Sequence, residues 1–237
     1  MNLILFHPQE LKSELPLSDL RAIHILEILG RAEFQTFDAG IVNGPRGKAT
    51  LIKKTSSGLH LSFSWEDTTP GPEPISLIIG LSRPQTSRKI LREATAIGIH
   101  TIYFVTTEKS DPAYAQSKLW TTGEYKRHLI SGAEQAFTTQ IPIIHYQSTL
   151  EEAIELSSAN RTKIAFDNYE ATGPFSACPI TSQVVLALGP ERGWSNPERE
   201  LLRSSGYTLC HLGSRVLRTE TACTAALILT RAKLNLI

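Results

Sequence analysis

Two stretches decide the fold. One is Val184-Val185-Leu186-Ala187-Leu188 followed by Gly189-Pro190-Glu191-Arg192-Gly193-Trp194-Ser195. The other is Tyr207-Thr208-Leu209-Cys210-His211-Leu212 followed by Gly213-Ser214-Arg215-Val216-Leu217-Arg218-Thr219-Glu220-Thr221. Each is a short apolar run, a glycine-containing loop and then a helical pattern. A short run of this kind suits a strand buried on both faces, as in a parallel sheet. Ser195 and Glu198 have the spacing of a capping box, Pro197 falls in the first turn where its missing N–H costs little, and Gly206 closes the helix. The last helix runs to about Leu234.

Read backwards from these units, the same alternation continues. Ile75 to Gly80 is another buried-strand pattern, followed by a helix to Ile97 with Gly98 at its end. Then come a strand Thr101 to Val105, a helix Glu124 to Phe137, a strand Ile141 to Tyr146, a helix Leu150 to Ser157 with Ser148 and Glu151 as its capping pair, and a strand Lys163 to Phe166 before a loop Asp167 to Thr181. Alternating strands and helices predict an α/β domain with a largely parallel sheet covered on both faces. Before it, Glu66-Asp67-Thr68-Thr69-Pro70-Gly71-Pro72-Glu73-Pro74 has the composition of a linker. The front segment carries strand patterns at Met1 to Pro8, Arg31 to Asp38, Lys48 to Thr55 and Leu59 to Trp65. Turn signals stand at Asp38-Ala39-Gly40, Asn43-Gly44-Pro45 and Ser56-Ser57-Gly58, and one helix runs from a Ser18 cap to Leu29. The expected organisation is a small β-barrel-like domain over 1–68, a linker over 69–74 and an α/β domain over 75–237.

Composition narrows the function classes. The 237 residues are 41% hydrophobic and 20% charged, with 24 Lys+Arg against 23 Asp+Glu. A formal net charge of +1 is no footprint of binding nucleic acid by bulk electrostatics, so an RNA-binding reading requires cations gathered on one face. No apolar run reaches the roughly 18–20 residues of a membrane span, and the N-terminus lacks a basic signal-peptide region. Cys178, Cys210 and Cys223 are too widely spaced to read as a disulfide framework or a zinc site. A cytoplasmic, metal-free protein is expected.

In open α/β sheets ligands bind outside the carboxyl ends of the strands, where both glycine loops lie. Gly189, Gly193 and Gly213 allow close backbone approach. Neither loop is a phosphate cradle of the G-x-x-x-x-G-K-[ST] or G-x-G-x-x-G kind, so a dinucleotide or nucleoside triphosphate is disfavoured.

At these loops the chain resembles a known family. Gly189-Pro190-Glu191-Arg192-Gly193-Trp194-Ser195 is similar to a GPEGG-F-S segment, and Leu212-Gly213-Ser214-Arg215-Val216-Leu217-Arg218-Thr219-Glu220-Thr221-Ala222 is similar to an LG-x-RILR-x-ETA segment, of ribosomal RNA small subunit methyltransferase E, in the SPOUT superfamily. Ala94-Thr95, Gly98, Ala133-Glu134-Gln135 and Ile141-Pro142 match in register, and His24 in Ile23-His24-Ile25 gives a fainter match in the front domain. The pattern departs at Arg192, Ala96, Thr138, Glu124-Tyr125 and Gly30, so the cofactor loops keep the family's residues more fully than the RNA-facing positions.

The resemblance implies a PUA-like front barrel that helps hold RNA and a SPOUT-type α/β domain whose C-terminal segment forms a trefoil knot. It implies bound S-adenosylmethionine, a homodimer formed through the knot, and methylation of the position-3 nitrogen of a uridine in small-subunit ribosomal RNA. On this reading the cofactor contacts are Leu188, Gly189, Pro190, Gly193, Leu212, Gly213, Arg215, Leu217, Thr221 and Ala222, with backbone groups of Leu212, Gly213 and Leu217 clamping the adenine. Arg218 is expected at the reaction centre, with an ion pair to Glu220 or Glu191 as the alternative. Glu191 either accepts the imide proton or caps a backbone turn. Arg83, Arg88, Lys89, Arg92, Lys126 and Arg127 are the candidate RNA contacts, with solvated surface as the alternative. Two other functions suit the same residues: a knotted methyltransferase with a different RNA target, and a non-catalytic RNA-binding or ribosome-assembly protein.

Overall fold

A computed structural model of the chain describes residues 3–67, 71–157, 161–180 and 183–237. Met1 and Asn2, the middle of the expected linker at 68–70, and Thr181 at the end of the expected loop lie outside them. The chain divides into two compact units, Met1–Gly71 with Ile130–Ile141, and Pro72–Leu129 with Pro142–Ile237.

The first unit is a mixed five-stranded sheet. Its strands are β1 (Ile4–Phe6), β2 (Leu15–Pro16), β3 (Thr36–Ile41), β4 (Arg46–Lys54) and β5 (Gly58–Trp65), in the order β1-β3-β4-β5-β2. Only the β1–β3 pair is parallel. Ile4, Phe6, Ala22, Ile25, Phe37, Ala39, Leu51 and Leu59 form its core. The helix is α1 (Leu20–Ile23) continued by a π-helical turn His24–Ile28; its cap is Asp19, whose carboxylate accepts the Arg21 N–H, and not Ser18. The expected turn at Asp38-Ala39-Gly40 is instead the middle of β3. Gly40 answers to packing: a Cβ there would sit 2.5 Å from Thr139 Cγ2 and 3.0 Å from Leu5 Cδ2.

Thr139 belongs to a segment that sequence order assigns to the other domain. Residues 130–141 pack on this unit through Ala133 against Leu3 and Leu5. Glu134 accepts the Leu5 N–H (3.2 Å), Arg46 donates to the Phe137 carbonyl (3.1 Å), and Asn43 Oδ1 accepts the Ile141 N–H (2.9 Å). A division at 68–75 therefore misses this return of the chain.

The second unit is a seven-stranded, all-parallel sheet. Its strands are β6 (Glu73–Gly80), β7 (Ile99–Val105), β8 (Ile143–Ser148), β9 (Thr162–Phe166), β10 (Gly173–Pro174), β11 (Val184–Leu188) and β12 (Thr208–His211), in the order β10-β12-β9-β11-β6-β7-β8. β6 starts at Glu73, inside the segment read as linker. The helices are α2 (Pro84–Ile97), α3 (Lys118–Thr121), α4 (Tyr125–Gln135, whose end from Ile130 belongs to the first unit), α5 (Leu150–Leu156), α6 (Asn196–Ser204) and α7 (Thr219–Lys233). β11 is buried along its whole length, as an apolar strand covered on both faces must be. Its neighbours bury Ile78, Tyr103, Ala165, Trp194, Leu202 and Leu209 with it. The capping box of α5 is Thr149 with Glu152, one residue beyond the expected pair.

No described helix is long and apolar enough to cross a membrane, and among the described residues no group of three or more His, Cys, Asp or Glu side chains could hold a metal ion. Cys178 and Cys210 are joined as a disulfide, contrary to the sequence expectation. Thirty-two residues apart in the chain, they meet because β10 pairs with β12. Cys223 is free and buried.

Candidate active site

The carboxyl ends of β9, β11 and β12 open into one cleft. It is walled by Phe166 to Tyr169 after β9, Leu188 to Gly193 after β11, and His211 to Ala222 around the loop before α7. Of the predicted cofactor contacts, Leu188, Gly189, Pro190, Gly193, Leu212, Arg215, Leu217 and Ala222 line this cleft, as does Glu191. Gly213 and Thr221 do not line it and are exposed, and Arg218 stands between two lining residues without lining it itself.

The loop after β11 is held from four sides. Gly193 N–H donates to the Pro190 carbonyl (2.8 Å), closing a turn. Trp194 is fully buried and its Nε1 donates to the Phe166 carbonyl (3.2 Å), tying the loop to the end of β9. Lys109 Nζ donates to the Trp194 carbonyl (2.6 Å). Glu191 accepts the Arg83 backbone N–H (3.0 Å) at the start of α2. Of the two readings for Glu191, this geometry is that of a backbone cap. Behind it, Ser195 and Glu198 form the expected capping box, and Glu198 also accepts the Glu108 N–H (2.8 Å). Gly80 at the end of β6 lets this loop lie down: a Cβ there would meet Pro190 Cδ at 2.4 Å and Pro190 N at 2.5 Å.

The loop before α7 has the opposite character. Gly213, at φ +113°, donates its N–H to His211 Nδ1 (3.0 Å). The next four residues, Ser214 to Leu217, are exposed and make no hydrogen bond among the described residues. A stretch of unpaired backbone donors and acceptors beside apolar Leu188, Leu212, Leu217 and Ala222 fits a flat heterocycle with a polar edge. Arg192 and Arg215 line the same cleft and neither is in a salt bridge among the described residues. The donor set therefore fits a nucleoside carrying an anionic tail.

Arg218 is the N-cap residue of α7, exposed, and in no salt bridge among the described residues. The expected partner Glu220 instead takes Lys89 (3.1 Å). Its own backbone N–H at the start of α7, then Lys89 and Arg218, hold the Glu220 carboxyl below the usual range.

The predicted RNA contacts separate into paired and unpaired cations. Arg88 (2.9 Å) and Arg127 (3.4 Å) both point to Glu124, which also takes His128 Nε2 (3.1 Å). The Arg88 and His128 hydrogen bonds hold the Glu124 carboxyl down at about 2. Lys89 is engaged by Glu220. Arg83 reaches only the Tyr114 hydroxyl (3.4 Å), and Arg92 and Lys126 have no ion-pair partner among the described residues.

Sequence reasoning missed the wall after β9. Asp167, buried, accepts the N–H groups of Tyr169 and Glu170 (both 2.7 Å) through Oδ1 and Arg199 Nε (2.8 Å) through Oδ2. Arg199 lies on α6, thirty-two residues away. Asp167 at the end of an apolar strand was the available signal.

The chain matches the model of the RNA methyltransferase domain family over residues 69–231. It is 32% identical to the ribosomal RNA small subunit methyltransferase E of Treponema pallidum over 95% of this chain and 89% of that protein. It is 28% identical to the ribosomal RNA small subunit methyltransferase E 1 of Borreliella burgdorferi, over 99% of each. A crystal structure of the Neisseria gonorrhoeae ribosomal RNA small subunit methyltransferase E, bound to S-adenosyl methionine, shares the fold, with a TM-score of 0.82 at 22% identity over 98% of this chain and 97% of that one. The chain belongs to the ribosomal RNA small subunit methyltransferase E family.

Proposed function

We propose that the chain transfers a methyl group from S-adenosylmethionine to the position-3 nitrogen of a uridine in small-subunit ribosomal RNA. The observation that carries this reading is the convergence of both family loops on one cleft at the carboxyl ends of β9, β11 and β12, with unpaired backbone groups and apolar side chains on its walls. Leu212, Leu217 and Ala222 hold the adenine, with Gly213 shaping the turn between Leu212 and Leu217, and Leu188, Gly189, Pro190 and Gly193 border the ribose and methionine parts. Arg192 and Arg215, which line the cleft, are the cations available to the carboxylate of the amino-acid tail. The cofactor supplies an electrophilic methyl group on a sulfonium.

The chain's own contribution is positioning and charge. The loop after β11, held by the Trp194, Lys109 and Glu191 hydrogen bonds, forms one wall against which the donor is positioned, and proximity and orientation of donor and acceptor can supply ~7–11 kcal/mol. The uridine imide must lose its proton, and Arg218, exposed beside the cleft with no carboxylate bonded to it, stabilises the resulting anion. The Arg83 N–H occupies Glu191 Oε1, so a proton-acceptor role for Glu191 falls to Oε2. The front unit as a PUA-like RNA holder, the C-terminal knot, and a dimer using the partly exposed Ile228 and Leu229 on α7 complete the proposal.

One observation favours a second reading, a shifted RNA target. Glu124 neutralises Arg88 and Arg127, two of the six cations assigned to RNA. The test is mass spectrometry of small-subunit RNA from a strain lacking the gene, with add-back of purified protein and cofactor. Loss and restoration of position-3 methyluridine supports the first reading. Methylation restored at another nucleotide supports the second. Arg218→Ala is expected to lower turnover far more than cofactor affinity, and the rate is expected to rise with pH as the imide deprotonates; equal losses would make Arg218 a structural residue.

A further inference from the structure

Tyr169 is the most exposed aromatic side chain in the cleft wall, at 81%, and it has fixed partners. Its backbone N–H is taken by Asp167, and the Arg199 guanidinium lies over one face of its ring, 5.6 Å from the centroid. Arg199 is itself fixed by Asp167 Oδ2 (2.8 Å) and Asn196 Oδ1 (2.9 Å), and the Arg199 and Asp167 side chains are only 6% and 1% exposed. A buried ion pair is costly unless its geometry is fully used, and here it backs one face of an exposed aromatic ring with a cation and leaves no ring or cation on the other among the described residues. Exposed aromatic rings beside nucleotide-binding clefts stack on bases, whose π-faces need no sequence-specific hydrogen bonds.

We propose that Tyr169 is a nucleobase-stacking platform at the mouth of the cleft, with Asp167 and Arg199 as its positioning residues. This rests on the reading of the cleft as a site for a nucleoside cofactor and RNA. The base has two sources of the same chemistry, the cofactor's adenine and a base of the RNA substrate.

The test compares the full-length protein with its Tyr169→Phe, Tyr169→Ala and Asp167→Asn variants. It uses calorimetric titration with S-adenosylmethionine and fluorescence anisotropy of a labelled single-stranded oligouridylate, with melting temperature as the control. Tyr169→Ala is expected to melt as the wild type and to weaken one of the two ligands about tenfold or more, the size of a lost base–aromatic stack, while Tyr169→Phe keeps wild-type affinity. Weakened S-adenosylmethionine identifies the adenine as the base, and weakened oligouridylate identifies an RNA base. Asp167→Asn is expected to weaken the same ligand in the Tyr169 background but not in the Tyr169→Ala background, a coupling that a purely structural Asp167 would not show. Unchanged affinity of Tyr169→Ala for both ligands, or equal losses in Tyr169→Phe, overturns the proposal while the cleft itself stands. Failure of the wild type to bind either ligand overturns the functional reading and this platform with it.

Discussion

Gly80→Ala probes whether the loop after β11 is a fixed wall of the cofactor site. The added methyl would meet Pro190 Cδ at 2.4 Å, Pro190 N at 2.5 Å and the Gly189 carbonyl carbon at 3.0 Å. Ordinary contact begins near 3.4 Å, so Pro190 must move by about 1 Å, and the obstacle is backbone and a proline ring, not a flexible side-chain end. Overpacking of this kind costs ~1–3 kcal/mol. At ~2–4 °C per kcal/mol for a domain of this size, the melting temperature should fall by roughly 2–12 °C. Because the loop is also held by Trp194, Lys109 and Glu191, the displacement is confined to Gly189–Pro190, both of which line the cleft. Calorimetry should therefore show weakened S-adenosylmethionine binding even at temperatures where the variant is fully folded. Gly173→Ala is the control, since a Cβ there meets nothing within 4 Å. A Gly80→Ala protein with wild-type melting temperature and wild-type cofactor affinity would refute the assignment of this loop as a rigid wall.

Three further outcomes are expected. Arg199→Leu leaves Asp167 buried without its counter-ion, held only by the Tyr169 and Glu170 N–H groups, and should cost ~3–5 kcal/mol in chemical denaturation, far more than removal of the exposed pair Lys48–Asp38. Glu124 has its carboxyl held down at about 2, first by its Arg88 and then its His128 hydrogen bond, and burial depresses His128 below its usual value. A carboxylate depressed on folding contributes stability above its unfolded value of 4.5 and loses it as pH falls towards 2; a depressed imidazole makes the folded state lose ground as pH falls below 6.5. Both act in one direction, so stability should decline on acidification, and Glu124→Gln should flatten the part below pH 4.5 in a urea series. Burial pushes the Cys223 thiol up to about 12, so iodoacetamide at pH 8 should not label the native protein; unfolding should release one thiol, and reduction two more.

The parts of the fold written in local sequence were legible. Val184–Leu188 is a strand with the bounds its apolar run indicates, and Ser195, Glu198 and Pro197 start α6 as their spacing implies. Both rest on chemistry within a few residues. Long-range contact was not legible. Gly40 reads as a turn from its neighbours, but its reason is Thr139, ninety-nine positions away and in a segment that returns to the first unit. Ala133-Glu134-Gln135 is legible only as an in-register family match; in this structure Ala133 packs on Leu3 and Leu5 and Glu134 accepts a backbone N–H from the first strand. The site was legible in its two glycine loops and missed in its third wall, because the Asp167–Arg199 pair joins a strand end to a helix face through no local pattern. The pairing of the candidate RNA cations was not legible for the same reason: Glu124 is one acidic residue in the sequence and a hub for three basic groups in space.

The most direct test of the account is a calorimetric titration of the purified chain with S-adenosylmethionine, repeated on the Gly80→Ala and Gly173→Ala proteins. Saturable binding by the wild type and by Gly173→Ala, weakened in Gly80→Ala, is the predicted result. No binding by a wild-type protein that melts cooperatively, or equal binding by all three, would contradict the assignment of the cleft between the β11 and β12 loops as the cofactor site.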